Sequence, residues 1–310
     1  MSTDLHASAE EHMALRRAMG YQLHGHDRLI GQFVDYLEHQ HTDTITVEDA
    51  LAWACLPHGA RGRWHAARLA AVRGFAAHVH ARSPQTAELI PTGLLPVHIE
   101  RAVPHLYTSE QINDLLDAAR VLQPAVRGHT VATVISLMAA TGLRIGEALA
   151  LDTTSLDIAA ATIMVTGKYG KKRRLPVHTS TVAGLIRYLQ LSRGLVGSPP
   201  DQALFVTVNA TRPQAGNLQA AFRTLTRACH LAPGPGGTLP RLHDLRHTFA
   251  VNTLIDAHRG GLDVDARIAA LATYLGHVSP ASTYWYLTAS PELLDLVNDR
   301  IEAIGEGHTA

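Results

Sequence analysis

Four prolines, Pro84, Pro91, Pro96 and Pro104, fall in one short stretch of this 310-residue chain, and they limit its fold more than any other feature. A proline lacks the backbone donor that a helix needs, and its ring clashes with the preceding turn, so no helix persists through such a stretch. The sequence on both sides is helical in pattern. A chain of this length also exceeds the usual size of one domain. The prolines therefore predict a helical unit over residues 1–83, a linker over 84–105 and a larger unit over 106–310.

In the first unit, the segment from Asp27 to Tyr36 sets Leu29, Ile30, Phe33, Val34 and Leu37 at helical spacing. Thr46-Val-Glu-Asp49 reads as an N-cap with an acidic first turn, opening a helix over Ala50 to Cys55. A longer helix is predicted from Arg61 to Ala81, with Trp64, Leu69, Val72, Phe75 and Val79 as its apolar stripe and Arg61, Arg63, Arg68 and Arg73 on the other side. Those arginines have two readings, a solvated charged face or a surface for an anionic partner.

The second unit opens at Thr108-Ser-Glu-Gln111, which fits the S/T-x-x-E/Q capping box ahead of Ile112, Leu115 and Leu116. Helices are expected to dominate here as well. The exception is Thr162-Ile-Met-Val-Thr166, a β-branched run followed by the Gly-bearing Gly167-Lys-Tyr-Gly-Lys-Lys172 and then Arg174-Leu-Pro-Val177; it reads as a hairpin with lysines at its tip. The expected fold class is mainly α with a small β-sheet or hairpin.

Composition narrows the function classes. Hydrophobic residues at 46% and charged residues at 17% provide buried cores and exclude a largely disordered chain. No apolar run reaches membrane-spanning length, and the start lacks a signal peptide's basic-then-apolar pattern, so the protein is expected in the cytoplasm with no membrane partner. Cys55 and Cys229 stand far apart, arguing against a disulfide or thiolate zinc site; both are expected reduced and buried. Lys+Arg and Asp+Glu both number 27, which gives no overall basic excess for an anionic partner. Charge is clustered instead, with Lys168, Lys171, Lys172, Arg173 and Arg174 in one stretch. Twenty histidines add positive charge below about pH 6.5.

Four polar clusters in the second unit carry candidate chemistry. In Ala140-Thr-Gly-Leu-Arg144-Ile-Gly-Glu147, Gly142 is placed to end one helix and Arg144 to begin the next. Arg144 either pairs with Glu147 or offers its planar fork to two phosphate oxygens. Lys168, at the hairpin, is either an ordinary charged turn residue or an ammonium able to protonate a leaving oxygen. In Leu242-His243-Asp-Leu-Arg246-His247, a spacing of three puts His243 and Arg246 on one helix face. His243 and His247, four apart, also invite a zinc reading, but the glutamate of the H-E-x-x-H pattern is missing and Arg246 would repel the ion. In Tyr274-Leu-Gly-His277, continuing to Tyr284-Trp-Tyr286, Gly276 breaks a helix and Ser279-Pro280 starts another; Tyr284 and Tyr286, two apart, cannot share a face.

In this order, Arg144, Lys168, His243-x-x-Arg246, His277 and a tyrosine, the residues resemble the tyrosine recombinase family, which includes phage integrases, over about residues 106 to 300. The resemblance implies an α+β catalytic domain behind a helical core-binding domain. It places the nucleophile nine residues after the Leu-Gly-His histidine, which selects Tyr286 over Tyr284. It also implies that Arg144 and Arg246 clamp the scissile phosphate, His277 donates a hydrogen bond, Lys168 is the general acid and His243 the base for the tyrosine proton. No cofactor and no metal are implied. The implied partner is double-stranded DNA, held also by Arg61, Arg63, Arg68, Lys171, Lys172 and Arg173. An amphipathic segment, Glu292 to Ile301, would either pack on its own domain or, as the resemblance implies, dock on a neighbouring subunit of a homotetramer.

Two rivals share parts of this pattern. A type IB topoisomerase would use the same chemistry without strand exchange, and a DNA-binding regulator without catalysis would keep the helices and the basic hairpin. A metal-dependent phosphodiesterase built on the histidines is the third class, and activity that survives EDTA would exclude it.

Overall fold

The computed structural model describes residues 4–21, 23, 25–60, 62–95, 103–167, 170–234, 237 and 239–276. The chain divides into two compact units, Met1–Arg101 and Ala102–Ala310.

Among the described residues, the first unit holds the helices α1 (Leu5–Ala18), α2 (His26–His39), α3 (Val47–Cys55) and α4 (Gly62–His80). Local caps set their starts. The Asp4 side chain accepts from the Ala7 amide, and the Thr46 hydroxyl accepts from the Asp49 amide, each satisfying a donor that the first helical turn leaves unpaired. The predicted stripe of α2, Leu29, Ile30, Phe33, Val34 and Leu37, is buried in full. It meets Trp53 of α3, whose ring stands edge-on to Phe33 at 5.3 Å between centroids. From α4 come Leu69, Val72, Phe75 and Val79, while Trp64, expected in the same stripe, is exposed. Burial of each such large side chain contributes about 1.5–3 kcal/mol, so these four helices hold one another rather than standing alone.

After α4 the chain is not helical, but it is not loose either. The Ile45 amide donates to Thr86 O and the Glu88 amide to Ile45 O, both at 2.8 Å, and Ala87 and Ile90 are buried in the first unit's core. Residues to at least 90 therefore pack with the first unit.

The second unit contains α5 (Ser109–Arg120), α6 (Ala125–Thr141), α7 (Ile145–Leu149), α8 (Thr179–Val196), α9 (Ala215–Ala228), α10 (Asp244–Arg259) and α11 (Val264–Leu275). A three-stranded antiparallel sheet joins β1 (Leu156–Asp157), β2 (Thr162–Thr166) and β3 (Lys172–Pro176) in that order. The reciprocal capping box of Thr108 and Gln111 starts α5. Helix α6 is apolar around most of its circumference, burying Val131, Val134, Ile135, Leu137 and Met138, as a central helix must. A second, smaller cluster joins α10 to α11 through Val251, Leu254, Ile268 and Leu271. No helix among the described residues is long and apolar enough to cross a membrane. Cys55 and Cys229 are free thiols and only half-buried.

Candidate active site

Helix α6 ends at Gly142, which adopts a left-handed conformation (φ 63°) that only glycine takes without strain. Buried Leu143 then anchors the turn, and Arg144 becomes the N-cap of α7. Both readings of Arg144 meet in one geometry. Its Nη1 donates to Glu147 Oε1 at 2.9 Å and its backbone amide to Glu147 Oε2 at 3.1 Å, while the side chain stays about one-third exposed. The ion pair fixes the guanidinium without covering it.

His243 stands at the N-terminus of α10, one residue before its first turn, and Arg246 follows inside the helix. Arg246 is 1% exposed. Its Nη1 donates to Gly142 O at 2.7 Å and its Nη2 to Leu275 O at 2.9 Å. These two carbonyls close the C-terminal ends of α6 and α11, where the helix dipoles concentrate negative charge, so one guanidinium ties three helices together. Beneath His243, Asp244 is completely buried and accepts from the Arg241 backbone amide and guanidinium. The segment before α5 braces the same turn, since the Tyr107 hydroxyl donates to Arg241 O and the Tyr107 amide to Thr248 Oγ1, each at 3.0 Å.

Desolvation is the main cause that holds the His243 pKa below the ordinary histidine value, with the charges of Arg246, Arg144 and Arg241 acting in the same direction and Asp244 opposing them. His243 is therefore a neutral imidazole at neutral pH, surrounded by fixed cations. Burial would raise the Glu147 pKa, but hydrogen bonds from Arg173 and the Arg144 amide, with both guanidinium charges, outweigh it and keep the carboxylate ionised. Among the described residues around His243 and Glu147, the guanidiniums of Arg144, Arg173, Arg241 and Arg246 gather with the carboxylates of Glu147 and Asp244. Such a site favours an anion.

Of the six residues expected to carry the chemistry, Arg144, His243 and Arg246 converge; Lys168, His277 and Tyr286 lie outside the described residues. The C-terminal segment from Glu292 does too. Among the six expected DNA contacts, Lys171, Lys172 and Arg63 are exposed, and Arg61 is outside the described residues. Arg68 requires correction. It is 8% exposed, lies 3.7 Å over the Trp53 ring and donates to Trp53 O at 2.8 Å, because a guanidinium flanked by Leu69 and Val72 stacks on an aromatic face more readily than it reaches water. Arg73 likewise turns its Nε to Ile90 O and Pro91 O.

Arg173 is not a surface cation either. It forms a two-pronged ion pair with Glu147, Nη1 to Oε1 at 3.1 Å and Nη2 to Oε2 at 3.0 Å, and its Nε donates to Tyr274 O at 3.0 Å. A signal for this was present in the strand pattern, since Arg173 is two residues before buried Leu175 and so shares its inward face, whereas Lys172 and Arg174 point outward. Glu147 was legible as a partner of Arg144, but not as the acceptor that joins two arginines.

For metals, the rings of His243 and His247 stand perpendicular with centroids 5.0 Å apart, and no third ligand joins them among the described residues. Among the described residues, the one trio with ligand atoms within 4.8 Å of one another is His6, Asp35 and Glu38, all exposed on α1 and α2 of the first unit.

The phage integrase family profile matches residues 106–292. The chain is 38% identical to a putative integrase/recombinase, y4rB, of Sinorhizobium fredii (strain NBRC 101917 / NGR234), over 97% of this chain and 98% of that protein. Its fold is similar to that of the XerH site-specific recombinase in a post-cleavage complex with palindromic difH substrate, with a TM-score of 0.64 at 16% identity over 90% of this chain and 80% of that one. The Tn1549 transposon integrase, in complex with transposon right end DNA, gives 0.62 at 16% identity over 95% and 99%.

Proposed function

This chain belongs to the phage integrase family of tyrosine recombinases, and from that premise we propose that it cuts and rejoins double-stranded DNA at specific sites through a 3′-phosphotyrosine at Tyr286. The observation that carries the reading is the convergence of Arg144 and Arg246 on a neutral His243, with Arg173 and Arg241 beside them. A phosphodiester brings one negative charge, and the five-coordinate transition state adds another on its nonbridging oxygens. Fixed donors aimed at that charge contribute about 3–4 kcal/mol each when the site excludes water.

The steps balance without ATP. The Tyr286 oxygen forms a bond to phosphorus as its proton passes to His243, which is held neutral and able to accept it. The bond from phosphorus to the 5′ oxygen breaks, and Lys168 supplies the proton for that oxygen. Arg144 and Arg246 hold the nonbridging oxygens, with His277 as a further donor. Rejoining reverses the steps with a 5′-hydroxyl from a second duplex, so the phosphotyrosine conserves the bond. The roles of Lys168, His277 and Tyr286 rest on the family resemblance. Lys171, Lys172 and Arg63, all exposed, are proposed to hold the phosphate backbone, and the segment from Glu292 to link four protomers around two duplexes.

Covalent trapping tests the reading. A duplex nicked beside the cleavage site loses the fragment that would religate, so the protein–DNA adduct accumulates. Tyr286→Phe is expected to bind this duplex with unchanged affinity and form no adduct, while Tyr284→Phe is captured. Capture of Tyr286→Phe combined with failure of Tyr284→Phe would overturn the assignment.

A further inference from the structure

Arg173 links three parts of the second unit that the chemistry needs in register. It sits on β3, which pairs with β2 and follows the segment that carries Lys168 in sequence. Its fork is seated on Glu147, and the same carboxylate receives the backbone amide and Nη1 of Arg144. Its Nε takes Tyr274 O in the last turn of α11, immediately beside Leu275 O, which Arg246 takes. The helix then ends at Gly276 in a left-handed turn (φ 67°), and the next residue in sequence is His277. A Cβ at Gly276 would lie 3.0 Å from Arg173 Nη1 and 3.1 Å from its Cζ, so the guanidinium lies against that turn and a side chain there would have to push it back by a few tenths of an ångström, in addition to the strain of a positive φ. The Arg173 side chain is 17% exposed and that of Glu147 7%, so water does not readily replace either bond.

We infer that Arg173 is a positioning residue for the proposed strand cleavage, holding the Arg144 guanidinium, the lysine-bearing hairpin and the turn before His277 in one arrangement through its bonds to Glu147 and Tyr274 O. It touches no reacting atom. Its geometry explains why an arginine is required: only a planar fork with a third N–H on its edge satisfies a carboxylate and a carbonyl at once, and a lysine ammonium offers no such fork. The inference rests on the recombinase reading, and it replaces the expectation that Arg173 contacts DNA.

Single-turnover capture on the nicked duplex, measured with DNA saturating and well below the melting temperature, tests it with Arg173→Met, Arg173→Lys and the pair Arg173→Met with Glu147→Gln. Arg173→Met is expected to keep the duplex affinity of the parent protein and to form adduct roughly 10- to 100-fold more slowly, the loss that a misplacement of about 1 Å produces. Arg173→Lys, which keeps the charge without the fork, falls between the two. Adding Glu147→Gln to Arg173→Met causes little further loss, because the carboxylate through which Arg173 acts has already lost its place; independent losses would multiply. A saturated capture rate within about twofold of the parent would make the ion pair structural only, since a change below about 0.5 kcal/mol is no coupling. A loss confined to affinity, and steeper in salt, would make Arg173 a DNA contact. Either overturns the inference, as does multiplication in the pair. If Arg173→Met does not fold, the saturated rate of Arg173→Lys decides in the same way. Failure of the recombinase reading looks different, because the parent protein itself would then form no adduct.

Discussion

At the scale of single residues, His243 illustrates how the site uses desolvation. Its ring is neutral at neutral pH because burial and the charges of Arg246, Arg144 and Arg241 all penalise the protonated form. The sign follows directly. A histidine with a depressed folded pKa holds its proton only below the usual value of about 6.5, so a base is available throughout the neutral range and is lost on the acid side. In the free protein, the His243 ring proton resonances are expected to titrate below 6.5, and Arg144→Gln, by removing one of the three cations, is expected to move that midpoint upward. A midpoint at or above 6.5 in the parent protein, or no movement in the variant, would contradict this account. Spacing put His243 and Arg246 on one helix face, whereas the resemblance to the tyrosine recombinases, not spacing, implied that Arg144 joins them. The posture of Arg68 and Arg173 was not legible in the sequence. Charge alone does not say which face of a helix or strand a side chain takes, and each of these guanidiniums found buried carbonyl or carboxylate oxygens that make burial favourable.

At the scale of elements, the site depends on where α6, α10 and α11 end and begin. Gly142 is the tightest of these points. A Cβ there would lie 2.6 Å from Phe249 Cδ1 and 2.8 Å from Leu275 Cδ2, in addition to the strain of a positive φ. Gly142→Ala is therefore expected to cost about 2–4 kcal/mol, measured as a fall in the urea midpoint, and to displace the carbonyl that Arg246 holds. Gly146, within α7, is the contrast, because a Cβ there meets nothing within 4 Å and its φ is not positive. Gly146→Ala is expected to stabilise by a few tenths to about 1 kcal/mol through helix propensity and a less flexible unfolded chain. Equal effects of the two substitutions would show that the turn at Gly142 carries no special load. Caps and periodicity made α2, α3, α5 and the β2–β3 hairpin readable in advance, with β2 spanning Thr162–Thr166 as expected. Other elements were not individually expected, among them α8, α9, α1 and β1. Helix α1 buries only Leu5, Ala9, His12 and Met13, a stripe too thin and too polar to announce a helix, and β1 is two residues long, too short for a period.

At the scale of the whole molecule, each unit carries its own hydrophobic core, and the first holds a buried histidine that couples its stability to acid. The proline stretch signalled where helices stop, but not that the broken chain folds back, with Ala87 and Ile90, onto the first core; prolines report lost donors, not packing partners. In that core, His12 of α1 is buried beside His78 of α4, their ring centroids 5.1 Å apart. Burial, then the charges of His78, Arg16 and His26, push its pKa down to about 4. The unfolded chain takes up a proton near pH 6.5 that the folded first unit refuses until about pH 4, so stability is intact above 6.5 and declines as the pH falls between those values. At the lower end the loss is on the order of 2–3 kcal/mol. His12→Leu keeps the volume and removes the titration. Calorimetry of the full chain between pH 7 and pH 4.5 should then show the transition of the first unit moving to lower temperature in the parent protein and moving markedly less in the variant. The second unit's transition should respond equally in both. An identical acid shift of the first transition in the two proteins would mean that His12 is protonated in the folded state and that its burial carries no acid sensitivity.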